Sequence, residues 1–216
     1  MTGPYIEGPP DGAQADDRAL FAALPHVDGP AVARLQDRLA VVADRAGVLD
    51  VAFRDLATPV GTLLLAATGR GLLRVAFPGE GHDTVLAELA QQVSPRILHA
   101  PARLDAVARQ LDEYFTSRRT TFDLPLDLRL AAGFRRGVLT ALGGVGYGTT
   151  TTYARLAANL GRPGASRAVG AACAANPLPV VLPCHRVIRT DGALAGYIGG
   201  LAAKQALLDL ERSSVH

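Results

Sequence analysis

The residues best placed to do chemistry are Pro183-Cys184-His185-Arg186-Val187, at the end of the apolar run Val180-Val181-Leu182. A cysteine reacts as its thiolate, and an unassisted thiol ionises only near about pH 8.5. Arg186 favours the anion by its charge, and His185 can take the proton. If the run continues as an extended strand, neighbouring side chains point to opposite faces. His185 then reaches the sulfur through a bridging water rather than directly. A cysteine among apolar residues also reads as an inert core thiol, but its ionisable neighbours count against that. A Cys–His hydrolase would need a direct pair and an oxyanion hole, which the adjacency of Cys184 and His185 disfavours. Zinc needs about four ligands at short spacing. The chain has two cysteines, Cys173 and Cys184, and scattered His26, His82, His99 and His216. No metal and no cofactor is expected.

The elements around this segment suggest how it is held. Upstream, two short helices are predicted over 153–160 and 165–175, with Thr152 as N-cap of the first. The turn Gly161-Arg162-Pro163-Gly164 joins them. This is a helix–turn–helix pattern. Its second helix is rich in Ala and Gly, so it can approach another backbone or a DNA groove closely. Asn176-Pro177 ends that helix, and a last helix is predicted over 201–212. The first half differs. Residues 1–16 read as a flexible tail, and helices are predicted over 17–24 and 30–48. In the latter, Val32, Leu35, Leu39 and Val42 recur at helical spacing. Strands are expected from Val51, over 63–66 and over 72–77, as an antiparallel meander. Helices over 83–92 and 102–117 follow, then an extended piece over 122–128 that Pro125 confines to an edge. A helix is predicted over 134–142 and a glycine-rich loop over 143–148.

Composition permits a nucleic-acid partner without demanding one. Of 216 residues, 49% are hydrophobic and 19% charged, a globular balance. Net charge is only +2, but it is uneven: residues 1–50 carry −4 and residues 151–216 carry +4. The basic charge in the last third is nearly all Arg, suited to phosphate contacts. No apolar run is long enough to cross a membrane. The start lacks a basic region followed by an apolar one. With so few cysteines, a reducing, cytoplasmic setting is the default expectation.

Residues 183–187 and their surroundings resemble the O6-alkylguanine-DNA alkyltransferases, the methylated-DNA–protein-cysteine methyltransferases. Arg167-Ala168-Val169-Gly170, Asn176-Pro177, Gly196-Tyr197, Gly199-Gly200, Lys204, Leu207-Leu208 and Glu211 fall in that family's order and spacing. Tyr147-Gly148 and Thr152-Tyr153 fit its upstream segment. The resemblance covers about residues 50–212. It implies an α+β fold: a small ribonuclease-H-like α/β domain over 50–128 with a three-stranded antiparallel sheet, then a helical winged helix–turn–helix domain over 129–216. Residues 1–49 form a partly helical extension outside it.

The implied activity is direct, irreversible transfer of an alkyl group from O6-alkylguanine in duplex DNA to Cys184, once per protein molecule. The damaged base is flipped out of the helix. In this scheme His185, a water and Glu211 relay the thiol proton, and Tyr153 protonates the departing guanine. Asn176 holds the turn before the cysteine. Arg167 fills the gap in the base stack, with Arg162 and Thr190 as further DNA contacts. Tyr197, Pro179, Val187 and Ile198 line the pocket, with Cys184 at its base. Ile198 departs from members that have Ser there and leaves backbone N–H groups to bond the substrate oxygen. Double-stranded DNA is the partner, with no membrane, and the chain is expected to act as a monomer; cooperative binding stays an open alternative. Relatives that recognise lesions without repairing them lack the reactive cysteine. Those that regulate transcription carry extra cysteines and a second helix–turn–helix. Neither pattern fits this chain.

Overall fold

The computed structural model describes residues 29–214. The tail expected over 1–16 and the helix expected over 17–24 lie outside the described residues. The chain divides into two compact units, 1–38 and 39–216. The elements around the cysteine all belong to the second. Helix α1 (Gly29–Arg45) forms where the apolar spacing predicts it. However, it buries Ala40 and Ala43, while Leu39 and Val42 are exposed. The short side chains let its backbone approach the core closely, so the bulky stripe is not the packed face.

The three expected strands are β1 (Val51–Leu56), β2 (Leu63–Thr68) and β3 (Gly71–Ala76), paired antiparallel in sequence. A fourth strand, β4 (Ile97–His99), joins β1 in parallel, giving the order β3-β2-β1-β4. With three residues it is too short to show a period. All six residues of β2 are buried because both faces of the sheet are covered. Leu64 and Ala66 face helix α2 (His82–Gln92) through Val85 and Leu89. Leu63, Leu65 and Ala67 join the main core with helix α3 (Asp105–Phe115). That core runs unbroken into Val138, Leu139, Leu142, Leu178 and Leu207, so the region around 126–132 is a continuous junction.

In the second half, helix α4 (Gly133–Leu142) precedes the glycine-rich loop. Strand β5 (Thr151–Thr152) leads directly into helix α5 (Tyr153–Asn159), where the Thr152 side chain accepts from Arg155 N–H at 3.1 Å. Helix α6 (Ser166–Ala174) follows the turn. Strand β6 (Val187–Ile188) pairs parallel to β5, and helix α7 (Gly200–Ser213) closes the fold. None of the described helices is long and apolar enough to cross a membrane.

The free edge of β3 ties the halves together. Leu72 N–H donates to Pro125 O and Asp127 N–H to Leu72 O, both at 2.8 Å. The piece expected over 122–128 thus makes a single bridge at Leu126, and Pro125 can accept but not donate there. Further along the same edge, Val75 N–H donates to Pro177 O at 2.8 Å. Gly71 sits at this join with φ +136, and a Cβ there would lie 2.1 Å from Pro125 O. Gly71→Ala must therefore break the edge or strain the turn. It is expected to lower stability by about 2–3 kcal/mol in chemical denaturation. An unchanged midpoint would mean that the edge gives way freely.

Candidate active site

The apolar run before Cys184 is a turn, not the strand that its composition suggests. Asn176, fully buried, organises it. Its Oδ1 accepts from Leu178 N–H at 2.9 Å, and its Nδ2 donates to Leu182 O at 2.8 Å and to Cys184 Sγ at 3.1 Å. Leu182 N–H closes back on Leu178 O at 2.8 Å. Val180 is held at φ +71, an uncommon conformation for a β-branched residue. Local side-chain bonds here outweigh strand propensity. Cys184–Arg186 is one 3-10 turn, not an extended segment, and it feeds β6. Pairing of β6 with β5 then places Cys184 beside the start of α5, which carries Tyr153.

Cys184 is 3% exposed. Burial pushes its thiol up to about 11, against the pull of the Asn176 hydrogen bond and the Lys204 charge. The resting group is therefore a thiol. The sequence assigned the favourable charge to Arg186, and the structure corrects this. The Arg186 guanidinium is clamped on Glu211, Nε to Oε2 at 2.9 Å and Nη2 to Oε1 at 2.8 Å. It also donates to Val145 O and lies over the Tyr147 ring. The cation acting on the thiol is Lys204, fully buried on α7, whose Nζ donates to Val187 O at 2.7 Å.

His185 is fully buried, and its Nε2 meets Glu211 Oε1 at 2.9 Å. Its Nδ1 is buried with no hydrogen-bond partner. Burial holds the imidazole below its ordinary value, more strongly than the Glu211 carboxylate raises it. Glu211 itself is 1% exposed. Burial pushes its carboxyl up, but hydrogen bonds from His185, Arg186 and Tyr114 prevail and bring it down to about 2. Gly148 N–H donates to Oε2 at 3.1 Å and Tyr114 Oη–H to Oε1 at 2.7 Å. The arrangement is a fixed anion, a neutral imidazole with one uncommitted nitrogen, and a protonated thiol.

A cavity of about 760 Å³ opens beside these groups. Tyr153, Arg167, Gly170, Thr190, Tyr197 and Ile198 are among its lining. It brings together residues that the sequence divided between DNA contact and pocket. Cys184 is not among the lining residues. Burial raises the hydroxyls of both Tyr153 and Tyr197, Tyr153 to about 12, and a thiolate at Cys184 would raise both further. Pro179 and Val187 do not line the cavity: both are buried, and Val187 serves through its carbonyl to Lys204. Arg162 stands apart, exposed on the turn with its guanidinium 5.4 Å from the Phe134 ring centroid.

Several contributors had no role assigned from sequence: Tyr114, Lys204, Tyr147, and Phe77, which packs edge-on against Tyr197 at 5.5 Å. One signal was available. Lys204 and Glu211 lie on the stripe of α7 that also carries Ala203, Leu207 and Leu208. Charged residues on the core face of a helix are seldom there without a partner.

Proton linkage gives this cluster a pH signature. Below pH 6.5 the unfolded chain protonates His185 while the folded chain keeps it neutral. Below 4.5 the unfolded chain protonates Glu211 while the folded chain keeps it ionised, its folded value being about 2. In both ranges unfolding takes up protons, so stability falls as the pH falls. Thermal melts from pH 8 to 3 are expected to show decline beginning near 6.5 and steepening below 4.5, with a shallower acid slope in Glu211→Gln. Equal slopes would show that other groups govern the acid limb.

The family "6-O-methylguanine DNA methyltransferase, ribonuclease-like domain" matches residues 52–128, and its "DNA binding domain" matches residues 133–213. The methylated-DNA–protein-cysteine methyltransferase of Mycobacterium tuberculosis is 40% identical over 164 residues, 74% of this chain and 92% of that protein. That of Methanosarcina barkeri is 36% identical, over 73% of this chain and 95% of its own length. The crystal structure of Mycobacterium tuberculosis OGT in complex with DNA superposes with a TM-score of 0.66 at 37% identity, covering 76% of this chain and 94% of that one. This chain belongs to the 6-O-methylguanine DNA methyltransferase family.

Proposed function

We propose that this protein repairs DNA by moving the alkyl group of O6-alkylguanine onto Cys184. The observation that carries the reading is the line Asn176–Cys184 and His185–Glu211, buried beside a cavity that holds Tyr153 and Arg167. The sulfur attacks the alkyl carbon, a C–S bond forms, and the C–O bond breaks with its electron pair passing to the guanine oxygen. The thiol proton leaves to His185 through a water. Tyr153, on the cavity wall, returns a proton to the guanine. A neutral His185 can accept that proton, and the Glu211 anion stabilises the imidazolium that results. The thioether product is chemically stable, so each molecule acts once.

Asn176 positions the sulfur through its Sγ bond. Arg167, exposed near the start of α6 at the cavity rim, is the residue to fill the base stack. In this reading Thr190, on the cavity lining, and Arg162, exposed on the turn before α6, touch the backbone of the duplex, and Tyr197 and Ile198 form the wall against the alkyl group. In this reading residues 50–128 form a supporting domain and residues 129–216 the DNA-binding and transfer domain. The protein works on DNA in the cytoplasm as a monomer.

Intact mass after incubation with duplex DNA carrying one O6-methylguanine tests the reading. The expected result is a gain of one methyl in place of one hydrogen, mapped to Cys184, saturating at one per protein and absent from Cys184→Ala. Tight lesion binding with no mass gain would leave a recognition protein instead.

A further inference from the structure

Tyr114 lies on α3, far in sequence from the thiol and within the ribonuclease-like part of the chain. Yet it is fully buried, and its hydroxyl donates at 2.7 Å to Glu211 Oε1, the same oxygen that meets His185 Nε2 at 2.9 Å. We infer that Tyr114 is a positioning residue for the transfer: it fixes the Glu211 carboxylate on His185 and draws off part of its negative charge, keeping His185 an unprotonated base. This rests on the transfer chemistry proposed above.

The geometry separates this role from simple packing. The Tyr114 ring is held independently of its hydroxyl, by Phe115 and Phe122 at 5.3 Å and Tyr147 at 5.9 Å between centroids. The charged and titratable groups facing the His185–Glu211 pair come from five places. They are Tyr114 on α3, Tyr147 in the loop before β5, Cys184 and Arg186 in the 3-10 turn, Tyr197 in the loop before α7, and Lys204 on α7. Arg186 and Lys204 are buried cations, and removing either strips a charge. Gly148 contributes only backbone. Tyr114 is the donor to Glu211 that can be deleted without touching a charge, the backbone or the thiol. Each donor on a carboxylate weakens the field it exerts on a neighbouring imidazole. Loss of this one leaves a more negative Oε1 against His185 and makes the imidazole easier to protonate.

The test is Tyr114→Phe in the full chain, followed by NMR titration of ¹⁵N-labelled imidazoles, with the His185 signal identified by its absence from His185→Gln. The His185 midpoint is expected to rise by about half to one pH unit. The acid limb of the single-turnover methyl-transfer rate should move up with it. Below the unaltered protein's His185 midpoint the rate, taken relative to each protein's own alkaline plateau, falls about three- to tenfold, while the affinity for lesion DNA stays within about twofold. If Tyr114→Phe does not fold, a fluorotyrosine placed at position 114 strengthens the same hydrogen bond and is expected to move the midpoint down. An unmoved His185 titration, or a shift of the opposite sign, overturns the inference. The titration needs no alkyl transfer, so a wild-type chain that fails to transfer would sink the proposed function and leave the Tyr114 result to stand or fall separately.

Discussion

A buried carboxylate is the constraint around which the rest of this molecule is arranged. Glu211 is removed from water at a cost of several kcal/mol, and it persists only because donors converge on it from separate parts of the chain. Arg186 gives a bidentate clamp, His185 a ring nitrogen, Gly148 a backbone N–H and Tyr114 a hydroxyl. Each donor must be delivered to within hydrogen-bond reach, so the helix, the 3-10 turn, the glycine-rich loop and α3 are fixed relative to one another. The chemistry follows from that arrangement. A fixed anion beside a desolvated imidazole makes a base that is neutral at rest and stabilised once it takes a proton.

The thiol is controlled by different means. Burial keeps Cys184 protonated at rest, and Asn176 and Lys204 moderate that penalty without abolishing it. A thiolate standing in the resting protein would be open to oxidation and to any electrophile. In the proposed reaction the thiol ionises only as His185 draws its proton, so it reacts only once a substrate is in place. The half of the chain without the cysteine takes part in this control. The edge of β3 bonds Pro177, Arg74 bonds Asn176 O at 3.4 Å, Phe77 backs Tyr197, and Tyr114 reaches Glu211. Gly199 lies against Phe77 so closely that a Cβ would fall 2.6 Å from the ring. The loop carrying Tyr197 and Ile198 is thus braced from behind by the sheet domain.

Much of this was legible in the sequence, for reasons particular to each feature. The short helices α5 and α6 were marked by Thr152, the glycine turn and Asn176, all local signals that structure seldom overrides. The Cys–His pair was marked by its ionisable neighbours, and Glu211 by its resemblance to a family pattern. The strand expected through Val180-Val181-Leu182 fails because Asn176 offers the backbone closer partners than a neighbouring strand could. The role given to Arg186 fails because adjacency in sequence says nothing about direction, and the 3-10 turn aims its guanidinium at Glu211. Tyr114 was hidden for the opposite reason. It reads as one more core position on the stripe of α3, and only the fold brings its hydroxyl to the carboxylate of a residue 97 positions away.

The most direct test of the central claim is the single-turnover rate of methyl transfer by Glu211→Gln, measured beside its affinity for the same O6-methylguanine duplex. If the Glu211 anion sustains His185 as the base, transfer is expected to slow by about 100-fold or more while lesion binding stays near that of the unaltered protein. A transfer rate within about threefold of the unaltered protein, with binding intact, would contradict it: the thiol would then lose its proton by a route that needs neither Glu211 nor the network built around it.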